Sequence, residues 1–175
     1  MKKFIKYISI ILCLTFMTGC GTKEKVEEKL PTNLVENIQI DTNGAAAVCS
    51  AEYDYSDTKG YNTGSKFAIF TDENEIVVKV VTQEIVVSNN EDILELFQDS
   101  LERNYSTFSQ YGGYDYDIKI EGNKLISNVT IDYTETDLKT MAADNETLKV
   151  YLNGDNKFTL SSVKSMYISS GAECN

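Results

Sequence analysis

Residues 114–133 read YDYDIKIEGNKLISNVTIDY. Aromatic and aliphatic side chains alternate with charged ones from Tyr114 to Glu121, and a Gly122-Asn123 turn leads into a second run that ends at Tyr133. A period of two is the pattern of a half-buried β-strand, and a glycine-containing turn between two such runs is typical of a hairpin. We therefore predict an antiparallel β-hairpin at this point of the chain.

Three further stretches have the character of strands. Residues 47–55 alternate in the same way, with small and aromatic side chains on one face and polar ones on the other. Residues 66–71 and 75–87 are rich in Phe, Ile and Val, and the polar residues 72–74 between them suit a tight reversal. The sequence therefore predicts a second hairpin and about five strands in all.

One long helix is predicted between the two hairpins. Ser88-Asn89-Asn90-Glu91 resembles a capping box, and Gly112-Gly113 marks a stop. Apolar side chains recur at helical spacing between these two signals, which predicts an amphipathic helix of about 20 residues. We expect it to pack across the sheet through four side chains, Ile93, Phe97, Leu101 and Tyr105.

Two shorter helices are predicted in the last third of the chain. One covers residues 136–141, and the other begins near Thr159 and ends near Gly171. Strand pairs joined by tight turns, with helices inserted between them, favour an α+β fold. We predict one antiparallel sheet of about five strands with the helices packed on one face.

The beginning of the chain indicates export. Three lysines precede an apolar run over residues 7–17, which is the order of a secretory signal peptide. This run of 11 residues is too short for a membrane-spanning helix, which needs about 20. Thr18 and Gly19 followed by Cys20 resemble a bacterial lipobox. We predict that residues 1–19 are a cleaved signal peptide and that Cys20 carries lipid. The alternatives are a plain signal peptide with a chance cysteine and an uncleaved anchor.

The predicted anchor sets the expected location and domain organisation. Two or more acyl chains hold a protein durably on a bilayer, so we expect the domain on the outer face of the cell membrane. Residues 20–44 contain a charged stretch and the only proline, which predicts a lipidated N-terminus and flexible tether. Residues 45–175 are predicted to form a single α+β domain. Alternatively, the end of the tether packs on the domain as a short helix or edge strand through Leu34, Val35, Ile38 and Ile40.

The chain is acidic, with 16 lysines and arginines against 27 aspartates and glutamates and a formal net charge of −11. Removal of residues 1–19 takes away three lysines and no acids, which changes the charge to −14. Nucleic-acid affinity comes largely from Lys and Arg that displace counterions from phosphates. We therefore expect no nucleic-acid partner. The expected partners are the membrane, through the lipid anchor, and an envelope protein or wall ligand.

The residue inventory lacks the usual catalytic groups. The sequence has no histidine, so neither a Ser-His-Asp nor a Cys-His site is possible. Of the four cysteines, Cys13 would leave with the signal peptide and Cys20 would be acylated, which leaves too few for a zinc cluster. No phosphate-binding glycine loop occurs. We predict a binding or interaction module without enzymatic activity, cofactor or metal.

Three alternatives stay open at this point. Paired carboxylates on strands would make a hydrolase acting on cell-wall or glycan material, and the candidates are Asp54, Asp115, Asp117 and Asp132. The oxygen-rich turns 72–75 and 153–156 are candidates for calcium, but neither fits the EF-hand pattern and turn chemistry explains both. Tyrosines on sheet faces bind sugars or peptides in some proteins and more often fill half-buried faces. Those predicted here are Tyr53, Tyr55, Tyr114, Tyr116 and Tyr133.

The order of motifs resembles the YehR-like uncharacterised bacterial lipoproteins. The lipobox, the strand pair and the long helix are followed by Asn128-Val-Thr-Ile-Asp-Tyr133 running into Asp137-Leu138, with a helix at the C-terminus. The resemblance covers most of residues 47–171. It implies a lipid-anchored α+β domain and no established activity.

Cys49 and Cys174 are the two cysteines left in the mature domain once Cys20 is acylated. Export places them where disulfides persist, and they lie near the two ends of the domain. We predict a disulfide that joins the first strand to the C-terminal tail. Two free thiols are the alternative, because many exported proteins of single-membrane bacteria encounter no oxidation system.

Replacement of the lipidated cysteine tests the predicted address. Cys20→Ala should release the protein from the membrane fraction, because the lipid is its only strong attachment. The measurement is fractionation of cells that express each form. Retention of the variant on membranes in high salt would contradict the prediction.

Overall fold

The computed structural model describes residues 29–175, which contain one six-stranded antiparallel sheet. The strands are β1 Ala47–Tyr55, β2 Tyr61–Thr71, β3 Val77–Val87, β4 Tyr114–Glu121, β5 Lys124–Asp132 and β6 Glu173–Cys174. Their order across the sheet is β4-β5-β3-β2-β1-β6, and neighbouring strands are antiparallel. The predicted α+β class is therefore confirmed, and the two-residue β6 is an addition to the five predicted strands.

The longer helices cover one face of this sheet, as predicted. The helices are α1 Ser56–Lys59, α2 Glu91–Ser109, α3 Leu138–Asp144, α4 Glu146–Lys149 and α5 Leu160–Ser169. Apolar side chains of α3, α4 and α5 join those of β1 and β2 in one buried cluster, and α2 joins those of β3 and β5 in a second. Helix α1 is a single turn between β1 and β2. The α3 and α5 positions match the two short helices that the sequence predicts.

The hairpin predicted at residues 114–133 is present as β4 and β5, which pair along their length. Gly122 lies in the turn with a φ of 62°, a left-handed conformation that glycine adopts without a Cβ clash. On β5 the alternate residues Leu125, Ser127 and Val129 are buried on the helical face. The period of two in the sequence thus predicted the pairing and the alternation of its faces.

Strand β2 is longer than the sequence predicts, because it begins at Tyr61. Residues 61–65 read YNTGS, which has little strand character, yet both β1 and β3 pair with this segment. Asn62 is buried there at 2% exposure, and its side-chain oxygen accepts hydrogen bonds from two backbone N–H groups at the end of β1. Pairing on both sides outweighs the weak local propensity.

The predicted packing face of α2 is confirmed. Leu101 and Tyr105 are buried, and Ile93 and Phe97 are partly buried against the same cluster. Leu94 is buried beside them at 1% exposure and widens the face by one residue. The helical spacing of the apolar side chains therefore predicted the contact surface of this helix.

The start of α2 differs from the predicted capping box. The N-cap is Asn90, whose side-chain oxygen accepts a hydrogen bond from the N–H of Asp92. Ser88 is buried at 1% exposure, and its hydroxyl donates to the carbonyl of Gly60 at 2.7 Å. The predicted capping box at Ser88 is wrong, because the Ser88 side chain bonds to Gly60 beside the start of β2 and Asn90 caps the helix instead.

A segment before β1 covers the opposite face of the sheet. We call residues 30–40 the N-terminal segment. Its side chains Leu30, Leu34 and Ile38 are buried together with apolar residues of β3, and a 3₁₀ turn spans Leu34–Asn37. The flexible tether predicted over residues 20–44 therefore does not extend through this segment, and the packed alternative is present. Residues 20–28 lie outside the described range.

Polar contacts fix the N-terminal segment to the sheet. The Glu52 carboxylate accepts hydrogen bonds from the backbone N–H groups of Asn33 and Val35 at 2.5 and 3.2 Å. The Lys66 ammonium group donates to the carbonyl oxygen of Ile38 at 3.0 Å. These bonds satisfy backbone groups of an irregular segment, which explains how it packs without joining the sheet.

Cys49 and Cys174 form a disulfide. They are directly opposite each other in the β1–β6 pairing, with their Cα atoms 4.0 Å apart. The predicted bond is thus present, and it ties the C-terminal strand to the edge of the sheet.

Among residues 29–175, no helix has the length and apolar character needed to cross a bilayer. The predicted signal peptide and Cys20 lie outside this range, so the predicted address stays a prediction.

Loss of the Cys49–Cys174 bond should lower the free energy of unfolding. The bond joins residues 125 positions apart, for which the chain-entropy model gives roughly 4 to 5 kcal/mol. The measurement is chemical denaturation of the exported protein carrying Cys20→Ala, with and without reductant. The double variant Cys49→Ser, Cys174→Ser should match the reduced protein and be insensitive to reductant. Two labelled thiols per unreduced, denatured chain would contradict the bond.

Candidate ligand-binding cavity

A partly enclosed cavity of about 130 Å³ lies between the sheet and the helices. Strands β2 to β5 and helices α2 to α5 all contribute to its walls, so it lies where the two buried clusters meet. Its volume is comparable to an engineered cavity of about 150 Å³ that binds benzene in another protein. The cavity therefore has room for a small ligand.

Seven aromatic side chains contribute to the wall. The four tyrosines are Tyr105, Tyr114, Tyr133 and Tyr167, and the three phenylalanines are Phe67, Phe108 and Phe158. The rings brace one another in pairs: the centroids of Phe67 and Tyr167 are 4.2 Å apart, and those of Tyr133 and Phe158 are 5.0 Å apart. Such pairs prefer defined offset or edge geometries, so the wall has a fixed shape.

One carboxyl group, that of Glu84 on β3, faces this aromatic space. The Tyr105 hydroxyl lies 3.1 Å from Glu84 Oε2 and 3.1 Å from Ser127 Oγ. Burial raises the pKa of Glu84 to about 7, and the hydrogen bond from Tyr105 opposes part of that rise. No lysine or arginine is among the described residues that line the cavity. The carboxyl group therefore lacks a cationic partner within the wall.

The tyrosine hydroxyls are neutral donors over the whole physiological range. Burial raises the pKa of Tyr105, Tyr114, Tyr133 and Tyr167 well above the usual value of 10.0. The Tyr167 hydroxyl bonds to Thr82. Within the described part of the chain, the hydroxyls of Tyr114 and Tyr133 have no hydrogen-bonding partner. These two groups are available to a ligand or to water.

The four aspartates considered for a hydrolase do not come together. Asp54 is on β1 and Asp115 and Asp117 are on β4, with three strands between them. Asp54 and Asp132 accept hydrogen bonds from the backbone and hydroxyl groups two residues ahead, which lowers their pKa values. None of the four lines the cavity. Two therefore stabilise turns and two are exposed on β4.

The oxygen-rich turns use their side chains internally. Asp72 Oδ1 accepts from the N–H groups of Asn74 and Ile76, and Asn153 Oδ1 accepts from those of Asp155 and Lys157. No group of three or more acidic or cysteine side chains in residues 29–175 is arranged to hold a metal ion. Turn formation accounts for both stretches.

Sequence reasoning found part of the cavity wall. Of the five tyrosines predicted on sheet faces, Tyr114 and Tyr133 line the cavity, while the Tyr53 hydroxyl donates to the carbonyl of Ser170 at 2.6 Å. It missed Glu84 and Tyr167. Val80 and Val86, which share the face of Glu84 on β3, are buried, but the sequence gives no signal for this because β3 is apolar on both faces.

Comparisons with known proteins yield two similar structures. No family model and no curated protein matches the chain. The NMR structure of a protein from Streptococcus pneumoniae TIGR4 has a TM-score of 0.40 at 16% identity, over 91% of this chain and 100% of that one. The NMR structure of the E. coli YehR protein has a TM-score of 0.47 at 12% identity, over 73% and 88%. These similarities concern the fold alone, and membership of the YehR-like lipoproteins stays a prediction.

Glu84→Gln should stabilise the folded protein at and above neutral pH. The pKa of Glu84 rises from 4.5 to about 7 on folding, so the folded state disfavours the ionised form. Below pH 4.5 the carboxyl is protonated in both states and carries no such penalty. Stability is then lost as the pH rises from 4.5 to 7, and the full loss above that range is about 3 kcal/mol.

The free energy of unfolding of Glu84→Gln should therefore exceed that of wild type by nearly zero at about pH 4 and by about 3 kcal/mol at about pH 8. Urea denaturation at a series of pH values measures it. The matched control is Glu95→Gln, at an exposed position of α2, which should show no such growth. A difference between Glu84→Gln and wild type that stays constant with pH would show that Glu84 is not the titrating group.

Proposed function

We propose that the protein is an exported lipoprotein, held by lipid on Cys20 at the outer face of the cell membrane, whose domain binds a small, largely apolar ligand in the aromatic cavity. The observation that carries the binding role is the cavity itself. Ligand sites are characteristically concave and mostly apolar, with a few converging polar groups. Here the walls are aromatic and aliphatic, and the polar groups include Glu84 and tyrosine hydroxyls.

The proposed location is supported by two features far apart in the chain. The first 20 residues have the order of a lipoprotein signal, and Cys49 and Cys174 form a disulfide. Disulfides persist mainly in oxidising compartments outside the cytoplasm. The acidic composition would keep the domain off anionic lipid headgroups, so the ligand or an envelope partner can reach it.

The proposal assigns no catalytic role. Glycoside hydrolysis in most families needs two carboxyl groups on either side of the scissile bond. Among the described residues, Glu84 is the only carboxylate in the cavity wall, and the four strand aspartates lie elsewhere. The hydrolase alternative therefore lacks the arrangement that it requires.

Benzene binding with a cavity-filling variant tests the proposed binding role. Isotope-labelled exported protein with Cys20→Ala is titrated with benzene and followed by NMR. We expect shifts at cavity residues, and Ile131→Phe should weaken binding by about tenfold or more because the added ring occupies the space.

Ile126→Phe is the matched control for that experiment. Ile126 is also a partly buried isoleucine on β5, but it points to the opposite face and does not line the cavity. The affinity of the Ile126→Phe variant for benzene should stay within about twofold of that of the wild type. Benzene binding that is absent in wild type, or equally reduced by both variants, would contradict an apolar ligand site in this cavity.

A further inference from the structure

The cavity wall is selective for the charge of its ligand. Glu84 is the only charged group on it, and neither lysine nor arginine is present among the described lining residues. An anionic ligand would meet the ionised carboxylate without a compensating cation. The wall therefore excludes anions and leaves neutral molecules and cations as candidates.

The rings favour a cation over a neutral molecule. Seven aromatic side chains line one small space, and the face of each ring carries partial negative charge. Cages of this kind attract organic ammonium groups, and the attraction strengthens where water is excluded. A neutral ligand would gain the apolar contacts but not this electrostatic part.

The carboxyl group of Glu84 is a second reason to expect a cationic ligand. Its hydrogen-bonding partner is the Tyr105 hydroxyl at 3.1 Å, which is a neutral donor. A carboxylate that is largely withdrawn from water is costly unless it is paired with a positive charge, and this wall supplies none. A ligand cation would provide the missing partner, and the acidic composition of the chain draws cations to the protein from solution.

We propose that the ligand is a small organic cation, an amine or quaternary ammonium group, held among the tyrosine and phenylalanine rings with Glu84 as its counter-ion. This inference rests on the proposed binding function and names the chemical class that the cavity takes. The hydroxyls of Tyr114 and Tyr133 donate hydrogen bonds to a polar substituent of that ligand, or accept them from it.

The test compares two probes of nearly the same shape. Choline carries a quaternary nitrogen where 3,3-dimethylbutan-1-ol carries a neutral carbon. Calorimetric titration of the exported protein with Cys20→Ala, at about pH 8, should give choline an affinity at least tenfold higher than its neutral isostere. Glu84→Gln should remove most of that preference, and Glu95→Gln, exposed on α2, should leave it unchanged.

A pH series adds a readout that a merely structural role for Glu84 would not produce. The other titratable groups that line the cavity are Tyr105 from α2, Tyr167 from α5, Tyr114 from β4 and Tyr133 after β5, and burial keeps the pKa of each above 10.0. Glu84 is thus the group that titrates near pH 7. Choline affinity should fall as the pH drops below 7, approaching tenfold per unit, while the isostere shows no such loss.

The outcomes separate this inference from the proposed function. Equal affinity for choline and the isostere, with both reduced by Ile131→Phe, would leave the binding role standing and overturn the cation. Absence of choline binding would overturn the proposal of a cationic ligand, whether or not benzene binds. Absence of benzene binding counts against the apolar site alone. Choline binding that depends on Glu84 and on pH supports the cation.

Discussion

The central strand β3 is packed against different elements on its two faces. The two sides of the sheet therefore provide different environments for its side chains. Strand β3 lies between β5 and β2, with helices over one face and the N-terminal segment over the other. Ile85 and Val87 pack under the N-terminal segment, whereas Thr82, Glu84 and Val86 point to the helical side. Glu84 is half-buried on the helical side, so this charged side chain is accommodated largely within the domain.

The elements whose buried faces could be predicted from the sequence are those whose two sides differ. The β4–β5 hairpin and α2 each have one buried and one exposed side, and that contrast is what a period of two or of 3.6 residues reports. Residues 61–65 and the N-terminal segment have no such contrast. They are ordered by partners distant in the chain, such as Glu52 and Lys66, which no local pattern reveals.

The candidate site was harder to predict for the same reason. Asp115 and Asp117 drew attention because they alternate with tyrosines, but that alternation also places them on the face away from the cavity. Tyr114 and Tyr133 were found, although a half-buried sheet face and a cavity wall give the same pattern in sequence. Glu84 was missed because β3 is largely apolar on both sides, and its role emerges only when the coverings of both faces are known.

An internal cavity and a carboxyl group largely withdrawn from water both lower the stability of the folded domain. A ligand that fills the space and pairs with Glu84 reverses both losses, so occupancy and stability are linked by mass action. The domain also has stabilising features that do not depend on the ligand. Neither cysteine of the Cys49–Cys174 bond lines the cavity, and the N-terminal segment packs on the opposite face of the sheet. These features would allow the domain to stay folded without the proposed ligand, which would be the cationic partner that Glu84 lacks within the cavity wall.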